Sequence, residues 1–165
     1  SPDNYVYRTG GREMKFTLNG NAVDIDVPPN LTLLNFLRDT LEITSPKVGC
    51  DEGECGTCTV LLNGEPVNSC LVLAAQVENQ EITTLEGLEK NGNLDIVQQT
   101  FLDHYGSQCG FCTPGMILAS KSLLDRNPTP TEEDIKEALE GNICRCTGYQ
   151  QIIESVLKAA ELRAR

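Results

Sequence analysis

Residues 49–58 of this chain have the sequence GCDEGECGTC, and a further cysteine, Cys70, follows them. The cysteines of this stretch are Cys50, Cys55 and Cys58, and with Cys70 they give the spacing C-x4-C-x2-C…C. That spacing is typical of a plant-type [2Fe–2S] site held by four thiolates. The glycines favour the same site, because a backbone without Cβ atoms can turn its N–H groups inward toward bridging sulfides. The stretch therefore predicts an iron–sulfur loop, around which the first half of the chain folds.

The other four cysteines lie in two short stretches, Cys109 with Cys112 and Cys144 with Cys146. Two loops must meet in space for these four thiols to form one site. Every cysteine of the chain is then used in one of two four-sulfur sites. Since the chain has little else of catalytic character, the pattern predicts a carrier of single electrons.

Three other uses of cysteine compete with iron–sulfur clusters. Disulfides suit small secreted chains that cannot build a core, whereas this chain has 165 residues, of which 39% are hydrophobic. A Rieske centre needs two histidines on one iron, and His104 is the single histidine. Zinc is the strongest alternative, because Cys109 and Cys112 with a distant cysteine pair also match a four-cysteine zinc pattern. The spacing of the first quartet is the sharper signature, and it favours iron.

The composition favours a protein partner over nucleic acid. With 24 acidic and 13 basic residues, the chain has a formal charge of −11, whereas nucleic acid is bound by clustered Lys and Arg. No apolar run approaches the roughly twenty residues that a membrane span requires. Residues 1–13, which we expect to be a tail, lack the apolar core of a secretory signal. We therefore expect a cytoplasmic protein, or a periplasmic one if a leader was removed before Ser1.

The first half of the chain is predicted to be a small α+β domain. Alternating apolar residues flank two Asn-Gly pairs, at residues 19–20 and 63–64, and predict two β-hairpins. Between them, Thr32 is placed to cap a helix whose leucines at 34, 37 and 41 recur with helical spacing. These elements predict a plant-type ferredoxin-like β-grasp domain over residues 14–84.

Residues 85–165 are predicted to be helical, and their pattern repeats. A helix, a cysteine pair and a second helix occur twice in succession, and both cysteine pairs end in Cys-Thr, at residues 112–113 and 146–147. This order predicts a four-helix bundle with pseudo-twofold symmetry. The helices that begin after Thr113 and Thr147 would point their positive N-terminal ends at the second cluster and stabilise its negative charge.

Four other polar residues receive ordinary interpretations. His104 lies near the end of a predicted helix and has no acidic or nucleophilic partner at motif spacing, so we do not expect a catalytic role. The carboxylates of Asp51, Glu52 and Glu54 could form a docking patch beside the first cluster. We expect them to be solvated loop residues, because charge runs usually are.

Three stretches together resemble one family. They are GCDEGECGTC (residues 49–58), QCGFCTPGM (residues 108–116) and GNICRCTGY (residues 141–149). They are similar to the iron–sulfur subunit of the molybdenum hydroxylases, which include xanthine dehydrogenase, aldehyde oxidase and carbon monoxide dehydrogenase. The resemblance runs from about Met14 to the C-terminus, and all eight cysteine positions match.

The resemblance implies a division of labour within a complex. A separate large subunit would bind molybdenum with a pterin cofactor and oxidise the substrate, and a flavin-binding subunit with FAD, or another acceptor, would receive the electrons. This chain would be the non-catalytic electron-transfer subunit between them. Its length leaves no room for a molybdenum or flavin domain, and it lacks a G-x-G-x-x-G dinucleotide signature.

The resemblance also assigns places to the two clusters. The cluster of Cys109, Cys112, Cys144 and Cys146 would lie nearest the pterin, and that of the first quartet would lie nearer the flavin. By the same resemblance, the Gln108 amide would hydrogen-bond the pterin, and the Cys146 sulfur would approach the amino group of the pterin.

Two alternatives of other classes follow from the residues. One is a free-standing ferredoxin-type carrier with two clusters, which would be a stable monomer that exchanges electrons with soluble partners. The other is an interaction module structured by zinc, which would be colourless where iron–sulfur proteins are reddish-brown.

Overall fold

The computed structural model of this protein describes residues 11–165. Most of the tail expected over residues 1–13 therefore lies outside the described residues. The first strand, β1, spans Arg12–Leu18, and its Arg12 is paired with Val27 in the register of the sheet. The sheet thus begins two residues before the start that was expected for the first domain.

Five strands form one mixed sheet in the first half. They are β1 Arg12–Leu18, β2 Asn21–Val27, β3 Thr59–Leu62, β4 Glu65–Asn68 and β5 Glu81–Thr83, in the spatial order β2-β1-β5-β3-β4. The pairs β1–β2 and β3–β4 are antiparallel hairpins, and their turns have positive φ at both Asn and Gly. Strand β5 joins the two hairpins, because it pairs parallel to β1 and antiparallel to β3.

One short helix contributes to the core of the sheet, and its geometry changes along its length. It begins as α1, Leu33–Asn35, where the Thr32 hydroxyl accepts a hydrogen bond from the Asn35 N–H at 3.2 Å, and this confirms the predicted cap. It continues as a π-helix over Phe36–Thr40. Leu33 packs into the core of the sheet, whereas Leu34 packs against Cys58 and Cys70. The helix therefore contacts both the sheet and two of the candidate ligands.

Four helices follow in the second half of the chain. They are α2 Ile96–Asp103, α3 Thr113–Arg126, α4 Glu132–Ala138 and α5 Gln150–Arg163. Helix α4 begins with a capping box, in which Thr131 and Asp134 each bond the backbone N–H of the other. Helix α2 packs on α3 and α5, and α4 packs on the same two helices, around a shared apolar core.

The two halves of the chain are in direct contact. Helix α3 packs on β3 and β4, and Leu61 of β3 belongs to the apolar core of the helices. The Ser122 hydroxyl donates a hydrogen bond to the carbonyl of Gly64 at 2.8 Å. Within residues 11–165 no helix has the length and apolar character that crossing a membrane requires.

Candidate iron–sulfur centres

The sulfur of Cys50 lies in a ring of backbone amides. It accepts hydrogen bonds from the N–H groups of Glu52, Glu54 and Cys55 at 3.5, 3.3 and 3.3 Å. The Cys50 N–H in turn donates to the sulfur of Cys55 at 3.4 Å. The amides of Glu52, Cys55 and Glu54 favour the thiolate and lower the pKa of Cys50 to about 7. The loop is thus arranged to hold negative charge on sulfur.

The other two thiols of the first quartet are buried. Cys58 ends the loop, and Cys70 lies in the short 3-10 helix Ser69–Leu71 that follows β4. The Ser69 hydroxyl donates to the Cys58 carbonyl at 2.6 Å and so holds the two segments together. Burial, reinforced by the neighbouring Cys58, raises the pKa of Cys70 to about 11. The first quartet therefore combines an amide-lined pair of thiols with a buried pair.

Glycines keep the first loop in close contact with its surroundings. A Cβ atom at Gly49 would lie 2.7 Å from the sulfur of Cys55. Gly56 has a φ of +72°, and a Cβ atom there would lie 2.1 Å from the carbonyl oxygen of Gly141. The loop thus forms a cradle that fits a compact cluster, and Gly56 also permits contact with the second half of the chain.

The second quartet is assembled from two loops, one between α2 and α3 and one between α4 and α5. The sulfur of Cys146 lies 3.7 Å from that of Cys109 and 3.9 Å from that of Cys144. The thiol of Cys112 lies beside that of Cys144. The structure therefore brings together the four thiols that the sequence analysis grouped.

In the second quartet a hydroxyl group and a backbone amide of the same residue, Thr147, lie at the sulfur of Cys144. The sulfur of Cys144 lies 3.0 Å from the Thr147 hydroxyl, and it accepts the Thr147 N–H at 3.4 Å. Burial opposes ionisation of Cys144, but these bonds outweigh it and lower its pKa to about 7. The N–H of Cys144 itself donates to the Tyr149 hydroxyl at 2.9 Å. Burial raises the pKa of Cys112 to about 12.

One of the two predicted helix starts is misplaced. Helix α3 begins at Thr113, directly after Cys112 and within one residue of its expected start. Helix α5 was expected to begin after Thr147 but begins at Gln150. The cause is the backbone, since Gly148 and Tyr149 have φ values of +68° and +70°, which a right-handed helix cannot contain. A turn held by the Thr147 hydroxyl therefore separates Cys146 from the helix.

The two quartets open on the same cleft, which has a volume of about 300 Å³. Cysteines of both quartets line it, together with one aromatic, one aliphatic and one basic side chain: Cys50, Cys55, Cys109, Cys112, Cys144, Phe111, Ile143 and Arg145. The two candidate sites are thus adjacent. Four thiols at each, with N–H and O–H groups directed at their sulfurs, suit an anionic [2Fe–2S] cluster.

The remaining predicted residues lie at the surface. Gln108, Cys109 and Cys146 are exposed, and they share one face because the sulfurs of Cys109 and Cys146 are 3.7 Å apart. The carboxylates that flank Cys50 in the first loop are exposed as well. His104 is half-buried at the end of α2, where its backbone N–H donates to the carbonyl of Thr100 and caps the helix.

Three residues that shape the second site were not predicted from the sequence: Asn142, Ile143 and Tyr149. Thr147 was expected only to precede a helix, and its bonds to the sulfur of Cys144 were not predicted. All four residues lie within the stretch GNICRCTGY. A Ser, Thr or Tyr within three residues of a candidate ligand was the available signal, because hydroxyl groups readily bond thiolate sulfur.

Comparison with known proteins gives two matching domain families. Residues 16–86 match the 2Fe-2S iron-sulfur cluster binding domain. Residues 84–157 match the [2Fe-2S] binding domain. Each candidate site thus lies in a family whose members bind such a cluster.

Relatives match along nearly the whole chain. The nicotinate dehydrogenase small FeS subunit of Eubacterium barkeri is 51% identical over 148 residues, which are 90% of this chain and 94% of that subunit. The xanthine dehydrogenase iron-sulfur-binding subunit of Escherichia coli O157:H7 is 46% identical over 143 residues, which are 86% of this chain and 89% of that subunit.

Solved structures show the same fold. Quinoline 2-oxidoreductase from Pseudomonas putida 86 superposes with a TM-score of 0.91 and 40% identity, over 95% of this chain and 98% of the matched chain. The aldehyde oxidoreductase from Desulfovibrio desulfuricans superposes with a TM-score of 0.89 and 42% identity, over 92% of this chain but 17% of its own. In that protein the matching region is one part of a much longer polypeptide.

Proposed function

This chain belongs to the iron–sulfur subunits of the molybdenum hydroxylases, and from that premise we propose how its residues transfer electrons. Its function is electron transfer through two [2Fe–2S] clusters in a multi-subunit oxidoreductase. Each bound cluster supplies one-electron redox chemistry. The residues of the chain hold the clusters and set their spacing. The family membership disfavours both a free-standing ferredoxin and a zinc module.

We assign four thiolates to each cluster. The first would be held by Cys50, Cys55, Cys58 and Cys70, and the second by Cys109, Cys112, Cys144 and Cys146. The convergence of each set supports the assignment, as does the match of each half to a separate cluster-binding family. Because iron binds thiolate, the lowered pKa values of Cys50 and Cys144 favour binding at neutral pH.

One hydrogen bond between the two loops supports the proposal that electrons pass from one site to the other. The N–H of Ile143 donates to the carbonyl of Cys55 at 2.9 Å. Cys55 is a proposed ligand of the first cluster, and Ile143 is covalently bonded to Cys144, a proposed ligand of the second. A path of covalent bonds with one hydrogen bond thus joins the two sites beside their common cleft.

The exposed face of the second site is proposed to dock on the large subunit. Gln108 and Cys146 would meet the pterin there, and this is supported by their exposure beside Cys109. The first site would then face a flavin-binding subunit with FAD, or another acceptor. In this arrangement the chain takes no part in the chemistry of the substrate, and its role is non-catalytic.

The names of relatives suggest which substrates to test first. Relatives with 46–51% identity are named for nicotinate, nicotine and xanthine, which are all nitrogen heterocycles. We therefore propose a nitrogen heterocycle as the substrate of the complex. The contacts that select it would lie on the large subunit.

Three further properties of the chain are part of the proposal: the symmetry of its helices, its domain boundary and its location in the cell. The ring of contacts α2–α3–α4–α5–α2 supports a pseudo-twofold bundle of two helix–loop–helix units. The end of β5 at Thr83 supports a boundary between domains at residues 84–85. A cytoplasmic location would keep the eight thiols reduced for cluster assembly.

Metal analysis of the purified chain tests the assignment. Eight cysteines at four per cluster predict two clusters, hence about four irons and four acid-labile sulfides per chain. Replacement of either quartet by serine should halve both contents. Stoichiometric zinc without sulfide would refute the proposal.

A further inference from the structure

Asn142 is a buried amide that bonds one cluster loop to the other. It lies in the loop between α4 and α5 and is 6% exposed. Its Nδ2 donates to the carbonyl of Gly56 at 3.0 Å and to the Thr59 hydroxyl oxygen at 3.2 Å. Gly56 lies between two proposed ligands of the first cluster, and Thr59 begins β3. The side chain therefore spans the boundary between the halves at the point where the sites approach.

The backbone around this amide is closely packed. A Cβ atom at Gly115, in the first turn of α3, would lie 2.6 Å from the carbonyl oxygen of Gly56 and 2.9 Å from Nδ2 of Asn142. A Cβ atom at Gly56 would lie 2.1 Å from the carbonyl oxygen of Gly141. Three segments thus meet backbone to backbone, and the Asn142 amide lies among them.

The hydrogen bonds at this point require a donor. The Thr59 hydroxyl donates to the Gly56 carbonyl at 2.6 Å, so its oxygen is left to accept the Asn142 amide. An alanine at residue 142 would remove the amide from two buried acceptors, which is unfavourable because they have lost water on folding. An aspartate would place a carboxylate oxygen, which accepts hydrogen bonds, against the Gly56 carbonyl oxygen and the Thr59 hydroxyl oxygen, which both need a donor. The site is therefore specific for the amide.

We propose that Asn142 is a positioning residue that fixes the separation of the two clusters. The inference rests on the proposed function, since it requires both clusters to be present. Gly56 directly follows Cys55, and Cys144 lies two residues beyond Asn142. Movement at the amide contact therefore moves one ligand of each cluster relative to the other. Because electron transfer falls steeply with distance, the amide holds the chain in the geometry that transfers electrons between the clusters.

The test measures the interaction between the clusters in the purified holoprotein. With both clusters reduced by dithionite, each is paramagnetic, and their spin–spin splitting depends on their separation. We expect Asn142→Ala to keep the wild-type iron content and both sets of g values but to lose part of the splitting. Thr59→Val keeps the side-chain shape and the Asn142–Gly56 bond but removes the Thr59 hydroxyl, which is one acceptor of the amide and a donor to Gly56, so it should lose less of the splitting.

A matched control distinguishes a change in cluster separation from a general loss of stability of the fold. Ser120 is buried, and its hydroxyl donates within α3 to the carbonyl of Met116 at 2.7 Å. Ser120→Ala should therefore leave the splitting unchanged.

Three results would overturn the role of Asn142. The first is wild-type splitting in both Asn142→Ala and Thr59→Val. The second is an equal change in Ser120→Ala. The third is the loss of a cluster in Asn142→Ala with unchanged splitting in Thr59→Val, which would mean a role in assembly alone. A wild-type protein without two clusters would overturn the proposed function instead.

Discussion

The two halves of this chain hold their sulfurs by different means. In the first, three of the four proposed ligands come from one short loop, and backbone amides surround the sulfur of Cys50. In the second, two loops from different helix pairs contribute two cysteines each, and Thr147 bonds the sulfur of Cys144. The first site therefore depends on local backbone geometry, whereas the second depends on the packing of four helices.

Each quartet nevertheless contains the same pair of thiol environments. Cys50 and Cys144 have pKa values lowered to about 7 by hydrogen bonds to their sulfurs. Burial raises the pKa of Cys70 to about 11 and that of Cys112 to about 12. Thiolate is the form that binds metal, so incorporation of a cluster must release protons from the buried thiols.

The largest expected effect is the selective loss of one cluster. Cys55→Ser removes a proposed ligand of the first cluster, and Cys112→Ser one of the second. Each variant should lose one of the two paramagnetic signals of the reduced protein and keep the other, because the quartets share no ligand. If either substitution abolished both signals in folded protein, the quartets would be wrongly assigned.

A cavity in the helical core should affect the second site first. Phe101 of α2 is 1% exposed, and Phe101→Ala is expected to cost about 3–5 kcal/mol of unfolding free energy. In a urea titration the second cluster should then be lost before the first. Phe36→Ala is the matched control, because Phe36 is fully buried against the sheet, and it should reverse the order. The same order of loss in both variants would contradict the comparison.

Removing the Gln108 amide should slow electron delivery into the second site. If this amide binds the pterin, Gln108→Ala leaves a hydrogen-bonding group without a partner, at a cost of about 1–3 kcal/mol to the docked complex. Both clusters should remain assembled. The measurement is single-turnover reduction by substrate in the reconstituted complex, compared with reduction by dithionite. Glu89→Ala, an exposed change, is the control, and a wild-type rate in Gln108→Ala would place this loop away from the pterin.

The smallest expected effect concerns the base of the first loop. Partial burial opposes ionisation of Glu86, but hydrogen bonds from Ser45 and Thr84 outweigh it and hold the pKa of Glu86 below 4.5. A carboxyl whose pKa is lowered by folding stabilises the fold above its unfolded pKa, and the contribution is lost as the pH falls through the folded pKa.

Glu86→Gln tests that contribution. Thermal unfolding should show a less stable variant at pH 7 and a smaller difference from wild type at pH 4. A difference that grew as the pH fell would show that the Glu86 carboxylate does not stabilise the loop.

Local signals predicted much of the fold. The Asn-Gly pairs at residues 19–20 and 63–64 form the two hairpin turns, since the positive φ values that such turns need are a property of those residues. The repeated order of helix, cysteine pair and helix, with its apolar spacing, predicted the four helices of the second half. Strand β5 was missed, because it has three residues and its pairing depends on distant strands.

The candidate sites were likewise predicted in part, where local signals were available, and missed where they depend on distant residues. Cysteine spacing grouped the thiols of both quartets. Contact between the quartets could not be predicted, because Asn142 and Gly56 are 86 residues apart in the chain and an Asn in a loop gives no sign of its partner. The turn before α5 was missed for a local reason, since Tyr149 takes a positive φ that is rare for a tyrosine.

A redox titration of the wild-type protein, followed by electron paramagnetic resonance, tests the central claim most directly. Two clusters in such different surroundings, one lined by amides and one beside a helix N-terminus, should differ electronically. We expect two separable signals, each of one spin per chain, that appear at different potentials. A single signal, or a total of one spin per chain, would contradict the presence of two distinct clusters.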